Sequence, residues 1–199
     1  MNIKLYVEGA TRRSDFERAI CRQAFSEFFA AAGVIHRPRT VPCGGRDAAY
    51  KDFVTALNGA GPDDLILLLV DSEDAVHPKH TTWQHLKARD GWDKPQGSND
   101  DQVFLMTRVM ETWFLADRTA LAKFFAKGWN PKALPAWANL ESVDKVKVFD
   151  ALTKASAGCG VRSYAKGNRS FKLLAEISPA VVEAACPAAK RLLDRLRSA

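Results

Sequence analysis

Acidic side chains follow two predicted strands, and their spacing suits the binding of a divalent cation. Glu8 comes directly after the first predicted strand, and Asp71, Glu73 and Asp74 come directly after a later one. Clustered carboxylates repel one another, and oxygen-preferring Mg²⁺ or Mn²⁺ relieves this repulsion while serving phosphoryl-transfer chemistry. The simpler alternative is that these acids only mark polar strand ends and cap the next helix. The combination of Glu8, Asp71 and either Glu73 or Asp74 favours the metal site.

A further carboxylate, Glu111, lies among the apolar residues of the segment Met110–Asp117. An unpaired carboxylate in such surroundings would be costly. Glu111 is therefore either paired with a basic residue or directed at the acidic cluster, where it would complete or orient the catalytic group.

Basic residues supply candidate phosphate contacts in three places. Arg46 follows two glycines at a predicted strand-to-helix turn, where backbone N–H groups and the helix N-terminus favour an anion. A plain tight turn is the alternative there. Arg12 either contacts the same phosphate or lies on an exposed first helical turn. Arg162, Lys166 and Arg169 occupy a loop rich in Gly and Ser, where they either contact a phosphate backbone or lie in solvent.

The charge is distributed unevenly along the 199 residues. Residues 1–117 carry 14 basic and 17 acidic side chains, net −3, whereas residues 118–199 carry 15 and 6, net +9. A basic part beside an acid-bearing part is typical of a metal-dependent enzyme that acts on a polyanion such as nucleic acid. A solvated helical surface or a face for a protein partner is the alternative.

Hydrophobic patterning predicts strands that alternate with helices. The run Leu65–Val70 lacks polar alternation, which indicates a strand buried on both faces at the centre of a parallel sheet. The predicted class is therefore α/β, with a doubly wound, mainly parallel sheet flanked by helices. The predicted strands are Ile3–Val7, Arg37–Val41, Leu65–Val70 and Val103–Thr107. The predicted helices run from the capping box at Ser14 to about Ala32 and over Asp47–Leu57, Val109–Ala116, Thr119–Phe125, Val143–Ala155, Phe171–Glu176 and Pro179–Arg197.

The chain divides in sequence into an α/β core over residues 1–117 and a basic, mainly helical extension over residues 118–199. Residues 75–101, rich in Gly and Pro, are predicted to be a loop insertion or lid with one short helical patch near Trp83–Ala88. No apolar run approaches the roughly 18 residues that a membrane span needs, and no signal-peptide pattern is present. Four scattered cysteines without a CxxC motif favour reduced thiols in the cytoplasm.

Three motifs together resemble the DUF4276 family of bacterial proteins. They are Val7-Glu8-Gly9-x-Thr11, the strand that ends in Val70-Asp71-Ser72-Glu73-Asp74, and Met110-Glu111-x-Trp113-Phe114-Leu115-Ala116-Asp117. The segments Tyr164-Ala165-Lys166-Gly167 and Leu173-Leu174-x-x-Ile177-Ser178-Pro179 are similar to that family's C-terminal pattern. The resemblance spans nearly the whole chain.

This resemblance implies a Toprim-like fold, related to topoisomerase–primase domains and to nucleases that accompany ATPases in phage defence. In Toprim domains, a Glu after the first strand and an Asp-x-Asp after a later strand surround Mg²⁺. Glu8 matches the first element, whereas Asp71-x-Glu73 has Glu in place of the second Asp, with Asp74 as the other candidate. The resemblance implies a Mg²⁺-dependent nuclease with a nearby-encoded ATPase partner. The alternative is a catalytically inactive scaffold that binds nucleic acid or a protein partner.

Overall fold

The computed structural model of the protein describes residues 1–10 and 14–199. The strands are β1 (Asn2–Val7), β2 (Arg39–Pro42), β3 (Asp64–Asp71) and β4 (Val103–Met106). The helices are α1 (Asp15–Ala31), α2 (Arg46–Asn58), α3 (Thr82–Asp90), α4 (Glu111–Ala116), α5 (Arg118–Phe125), α6 (Lys145–Ser156), α7 (Asn168–Glu176), α8 (Pro179–Ala185) and α9 (Pro187–Arg197). Within these described stretches, no helix has the length and apolar character needed to cross a bilayer.

The strands form one parallel sheet in the order β2-β1-β3-β4. β1 lies beside β3 with Val7 opposite Leu69, and β3 lies beside β4 with Asp71 opposite Met106. The predicted α/β fold, with a mainly parallel sheet flanked by helices, is confirmed. Because β1 and β3 are neighbours, the residues that follow their carboxyl ends meet at one edge of the sheet.

The apolar run of β3 divides between the two faces of the sheet, because successive strand side chains point in opposite directions. Leu67 and Leu69 pack with α1 and with the helices α4 to α9. Leu68 and Val70 pack with α2 and α3 on the other face. Burial on both faces explains why this strand carries no polar alternation.

Residues 75–101 contain α3 at the predicted helical patch near Trp83–Ala88, and they pack against the sheet. Trp83 and Leu86 of α3 are 3% and 0% exposed, and Trp92 beyond the helix is 7% exposed. The Tyr50 ring of α2 stacks on Trp92 with their centroids 4.5 Å apart. This segment therefore covers one face of the sheet. Its few apolar side chains lie among Gly, Pro and polar residues, so its composition indicated a loop.

The predicted helix over Pro179–Arg197 is in fact two helices. Pro187 has no backbone N–H and disfavours helical geometry at the residue before it, and Cys186 accordingly has φ −130° and ψ 89°. After this break, α9 packs against β4 and buries Leu192 and Leu196. The basic C-terminal helices share one hydrophobic core with α1 and one face of the sheet.

Two glycines allow the turn after α5 to touch the end of α6. Gly128 has φ 91°, a conformation that favours glycine. A Cβ atom on Gly158 would lie 2.6 Å from the carbonyl oxygen of Gly128. Because that neighbour is backbone, there is no room for a side chain at this contact.

Candidate metal centre

The ends of β1 and β3 bring Glu8 and Asp71 into contact. The Glu8 N–H donates to the Leu69 carbonyl at 3.1 Å, which extends the sheet by one residue. The Asp71 N–H donates to Glu8 Oε2 at 3.3 Å. The parallel pairing of neighbouring strands therefore sets the distance between these two carboxylates, as the sequence predicted from their positions after strands.

Glu73 reaches the same place through a left-handed backbone conformation, with φ 62°. Its N–H donates to the Arg108 carbonyl at 2.8 Å, and the buried Ser72 Oγ accepts from the Arg108 N–H at 2.7 Å. His85 Nε2 lies 3.0 Å from the Ser72 carbonyl oxygen. These contacts stabilise the left-handed backbone conformation of Glu73, which non-glycine residues rarely adopt.

One carboxylate oxygen each from Glu8, Asp71 and Glu73 lies within 4.8 Å of the others. Asp74 turns away from this group: its carboxylate accepts from Arg89 Nε at 3.0 Å, and its side chain is 68% exposed. Of the two residues that the sequence left open, the structure brings Glu73 to the cluster and leaves Asp74 outside it.

Burial and neighbouring carboxylates raise the pKa values of two carboxyl groups in this cluster. Burial raises the pKa of Asp71 well above its usual range, and the neighbouring Glu8, Glu111 and Glu73 raise it further. Burial also raises the pKa of Glu8, although the Arg46 guanidinium opposes that shift. The carboxylates thus repel one another at a distance where a bound cation would be stabilised.

Two basic residues partly offset this negative charge. Arg46 donates from Nε and Nη2 to Asp90 at 2.8 and 2.6 Å, and its Nη1 lies 3.3 Å from Glu8 Oε2. The same guanidinium lies over the Trp92 ring, 4.9 Å from its centroid. Lys145, at the start of α6, forms an ion pair with Glu73.

The contacts of Arg46 bear on its predicted role as a phosphate ligand. Its side chain is 12% exposed and is bound to Asp90, Glu8 and the Asp71 carbonyl. In the preceding turn, the Gly44 N–H donates to the Gly9 carbonyl at 3.2 Å, so this N–H is not available to bind a phosphate. In this structure Arg46 orients a carboxylate of the cluster.

Glu111 lies against the acidic cluster and is 4% exposed. Its Oε1 accepts from the Tyr164 hydroxyl at 2.5 Å, and Ser170 Oγ lies 3.4 Å away. The preceding Met110 N–H donates to Asp71 Oδ1 at 2.9 Å. Of the two alternatives for Glu111, the structure shows the one directed at the cluster, with hydroxyl groups as its partners.

A cavity of about 200 Å³ opens on these residues. Its lining includes Glu8, Asp71 and Glu111 together with Lys166 and Ser170. The cavity wall is therefore assembled from both the α/β core and the basic part of the chain.

The other predicted phosphate contacts lie beside this cavity. Arg162, Lys166 and Arg169 line a neighbouring groove of about 440 Å³. Arg169 donates to the carbonyls of Ser163 and Val161, both at 2.9 Å, and so also shapes the loop. Arg12 lies outside the described residues.

The family model described as a domain of unknown function, DUF4276, matches residues 7–197. This range includes all the carboxylates of the cluster and nearly the whole chain. The chain belongs to the DUF4276 family. The resemblance seen in the sequence motifs is thus confirmed. Comparisons of this DUF4276 protein with curated proteins and with solved structures give no significant match.

The donor set of this DUF4276 protein fits Mg²⁺ or Mn²⁺. The converging groups are carboxylate oxygens, the ligands that these hard cations prefer, and no His or Cys ligand is needed to complete the set. Burial, together with the neighbouring carboxylates, raises the pKa values of Glu8 and Asp71, so a negative charge is costly at these positions. Glu8, Asp71 and Glu73 are the residues that would hold the ion.

Sequence reasoning missed three partners of the cluster in this DUF4276 protein. Lys145 pairs with Glu73, Asp90 holds Arg46, and the Tyr164 hydroxyl binds Glu111. Tyr164 belongs to a motif that resembles the family pattern, which gave a signal that the residue matters but no role for it. Lys145 and Asp90 lie in ordinary charged stretches of sequence, where nothing distinguishes them from surface residues.

Proposed function

We propose that this protein is a divalent-metal-dependent nuclease or phosphodiester-processing subunit that acts on nucleic acid. The observation that carries the proposal is the convergence of Glu8, Asp71 and Glu73 oxygens within 4.8 Å at the carboxyl edge of a parallel sheet. Sites form at that edge in open α/β sheets. The likeness of these residues to the metal-binding carboxylates of Toprim domains supports the same chemistry.

The carboxylates of the cluster and Arg46 would have distinct roles. Glu8, Asp71 and Glu73 would hold Mg²⁺ or Mn²⁺, which supplies activation of a water nucleophile and neutralisation of charge on the phosphate. Arg46 keeps the Glu8 carboxylate directed into the cavity through their 3.3 Å contact.

The remaining lining residues would position the substrate. Glu111, fixed by Tyr164, adds negative charge beside Asp71 and so strengthens the attraction for a cation. Lys166, which also lines the cavity, would contact a substrate phosphate. Asp74 lies outside this arrangement and serves as the matched control for the cluster.

The test compares single carboxylate variants in a cleavage assay with a panel of nucleic acids and divalent metals. Glu8→Gln and Asp71→Asn should each reduce Mg²⁺-dependent cleavage at least about 100-fold, because each removes a ligand charge without changing side-chain size. Asp74→Asn should cleave like the unchanged protein. Full cleavage by both Glu8→Gln and Asp71→Asn would refute the assignment.

A second candidate is a non-catalytic Toprim-like scaffold that binds nucleic acid or a protein partner. The observation in its favour is the ion pair between Lys145 and Glu73, which supplies a positive charge where a metal would otherwise be needed. Titration with Mn²⁺ followed by electron paramagnetic resonance separates the two. A nuclease should bind Mn²⁺ and lose that binding in Asp71→Asn, whereas a scaffold neutralised by Lys145 should bind none.

The family resemblance extends the proposal to phage defence with an ATPase partner encoded nearby. All four cysteines are buried free thiols, which suits a reducing cytoplasm. Cleavage should therefore also be assayed with the product of the neighbouring gene. A partner that acts on this chain should raise cleavage by the unchanged protein but not by Asp71→Asn.

A further inference from the structure

A basic groove runs beside the acidic cavity, between α5, α7 and the loop that precedes α7. It encloses about 440 Å³, about twice the volume of the cavity at the carboxylates. Four basic side chains and one acidic side chain line it, so an anion is favoured there. The groove is defined by Arg162, Lys166, Arg169, Lys172, Phe124 and Glu17.

The groove and the acidic cavity are adjacent and share a lining residue. Lys166 lines both of them, and the adjoining Gly167 at the start of α7 also borders the cavity. Gly167 has φ 95°, which allows the chain to turn between Lys166 and the helix. A phosphodiester strand with one phosphate at the carboxylates would therefore continue into the basic groove.

The groove combines positive charge with an aromatic ring. Phe124 of α5 lies in its lining, partly buried against Phe125 with their centroids 5.1 Å apart. Lys172 and Arg162 are exposed beside it. Cationic groups beside an aromatic ring are typical of sites for unpaired strands, because an unpaired base has a free face for stacking. In a duplex these faces are already stacked.

We propose that the groove binds a single-stranded segment of nucleic acid, with its phosphates on Arg162, Lys166 and Lys172 and a base against Phe124. This inference rests on the proposed function and narrows its substrate to single strands or to frayed and unpaired ends. The acidic cavity would then receive the phosphodiester bond next to the bound segment.

The test measures binding of the full chain to a fluorescein-labelled oligonucleotide by anisotropy, in EDTA so that no cleavage occurs. A single strand should bind at least about tenfold more tightly than a blunt duplex of the same length. Lys172→Glu should weaken single-strand binding at least about tenfold and reduce the slope of log affinity against log salt by about 0.7, the value expected for one lost phosphate contact. Lys51→Glu, the same charge change on α2 at the opposite face of the sheet, should alter neither quantity by a comparable amount.

Phe124→Leu tests the stacking contact. It keeps an apolar side chain on α5, so thermal unfolding should show an intact fold. We expect a loss of about tenfold in single-strand affinity with an unchanged salt slope, because stacking involves no counterion release. Equal binding by Phe124→Leu and the unchanged protein would remove the base-stacking contact from the proposal.

The failures of the two proposals are distinguishable. If Asp71→Asn abolishes cleavage while Lys172→Glu binds and cuts like Lys51→Glu, the groove inference is wrong and the nuclease proposal stands. If the groove variants lose single-strand binding but no metal supports cleavage, the groove stands and the nuclease proposal fails. A preference for the blunt duplex would overturn the single-strand inference.

Discussion

Replacing Asp71 by Asn should stabilise the metal-free protein while it abolishes metal binding. The Asp71 carboxylate lies among Glu8, Glu73 and Glu111, and burial together with these charges raises its pKa. The substitution removes one negative charge from the cluster. The amide oxygen of the new side chain can still accept the Met110 N–H that now bonds to Oδ1 at 2.9 Å.

The expected gain follows from the distances in the cluster. Two unit charges 4.8 Å apart interact by about 3.5 kcal/mol at an effective dielectric constant of about 20, and Glu8 and Glu73 each repel Asp71 at this distance or less. Arg46 and Lys145 offset part of this repulsion, and partial protonation of the cluster offsets more. A net stabilisation of about 1–3 kcal/mol remains, equivalent to about 2–12 °C in Tm for a chain of this size.

The assay is urea denaturation and thermal unfolding at pH 7.5 in EDTA, repeated with Mg²⁺. Asp71→Asn should unfold at higher urea than the unchanged protein in EDTA, and Mg²⁺ should stabilise only the unchanged protein. Asp74→Asn is the control: its carboxylate is exposed and bound to Arg89, so its effect should stay within about 1 kcal/mol. A lower stability of Asp71→Asn than of Asp74→Asn in EDTA would refute the reasoning.

Four further predictions concern the pH dependence of metal binding and of stability, the Tyr164 contact and the close glycines. Because the pKa values of Glu8 and Asp71 are raised, protons compete with Mg²⁺ for these carboxylates. The Mg²⁺ affinity should therefore fall as the pH drops through these raised pKa values, and calorimetry at several pH values checks this. The same shifts favour the metal-free folded state at low pH, and this stability should be lost as the pH rises through the raised pKa values; a pH series of urea denaturation in EDTA should show it. Tyr164→Phe removes a donor at 2.5 Å from the buried Glu111 and should cost about 1.5–3 kcal/mol in urea unfolding; a loss below about 0.5 kcal/mol would contradict this contact. Gly158→Ala places a Cβ 2.6 Å from a backbone carbonyl and should lower the free energy of unfolding by about 1–3 kcal/mol, whereas an unchanged midpoint would show that the turn can move.

The sheet and its acidic edge could be predicted because their signals are local. The apolar run of β3 indicates a strand buried on both faces, and the capping box at Ser14 places the start of α1, where the Glu17 N–H donates to Ser14 Oγ at 3.1 Å. The predicted strands Ile3–Val7 and Leu65–Val70 are each followed by an acid. If these strands are parallel neighbours, Glu8 must lie close to Asp71.

The choice between Glu73 and Asp74 could not be predicted. It depends on a left-handed φ at Glu73, on the Arg108 backbone in the next loop, and on Lys145, which lies 72 residues further along the chain. Arg89 holds the other acid away. Contacts this distant leave no trace in the local pattern.

The cavity at the carboxylates is finished by residues that are synthesised late. Glu8 and Asp71 lie within the first 71 residues, whereas Lys145, Tyr164 and Ser170 lie beyond residue 140. A nascent chain that ends after β4 would carry the acids together without Lys145 or the wall that α7 provides, and it would expose the core face of the sheet. Folding of the site is thus tied to the C-terminal helices: a version shortened to residues 1–117 would lack most of the core that packs on α1 and the groove proposed to bind the substrate.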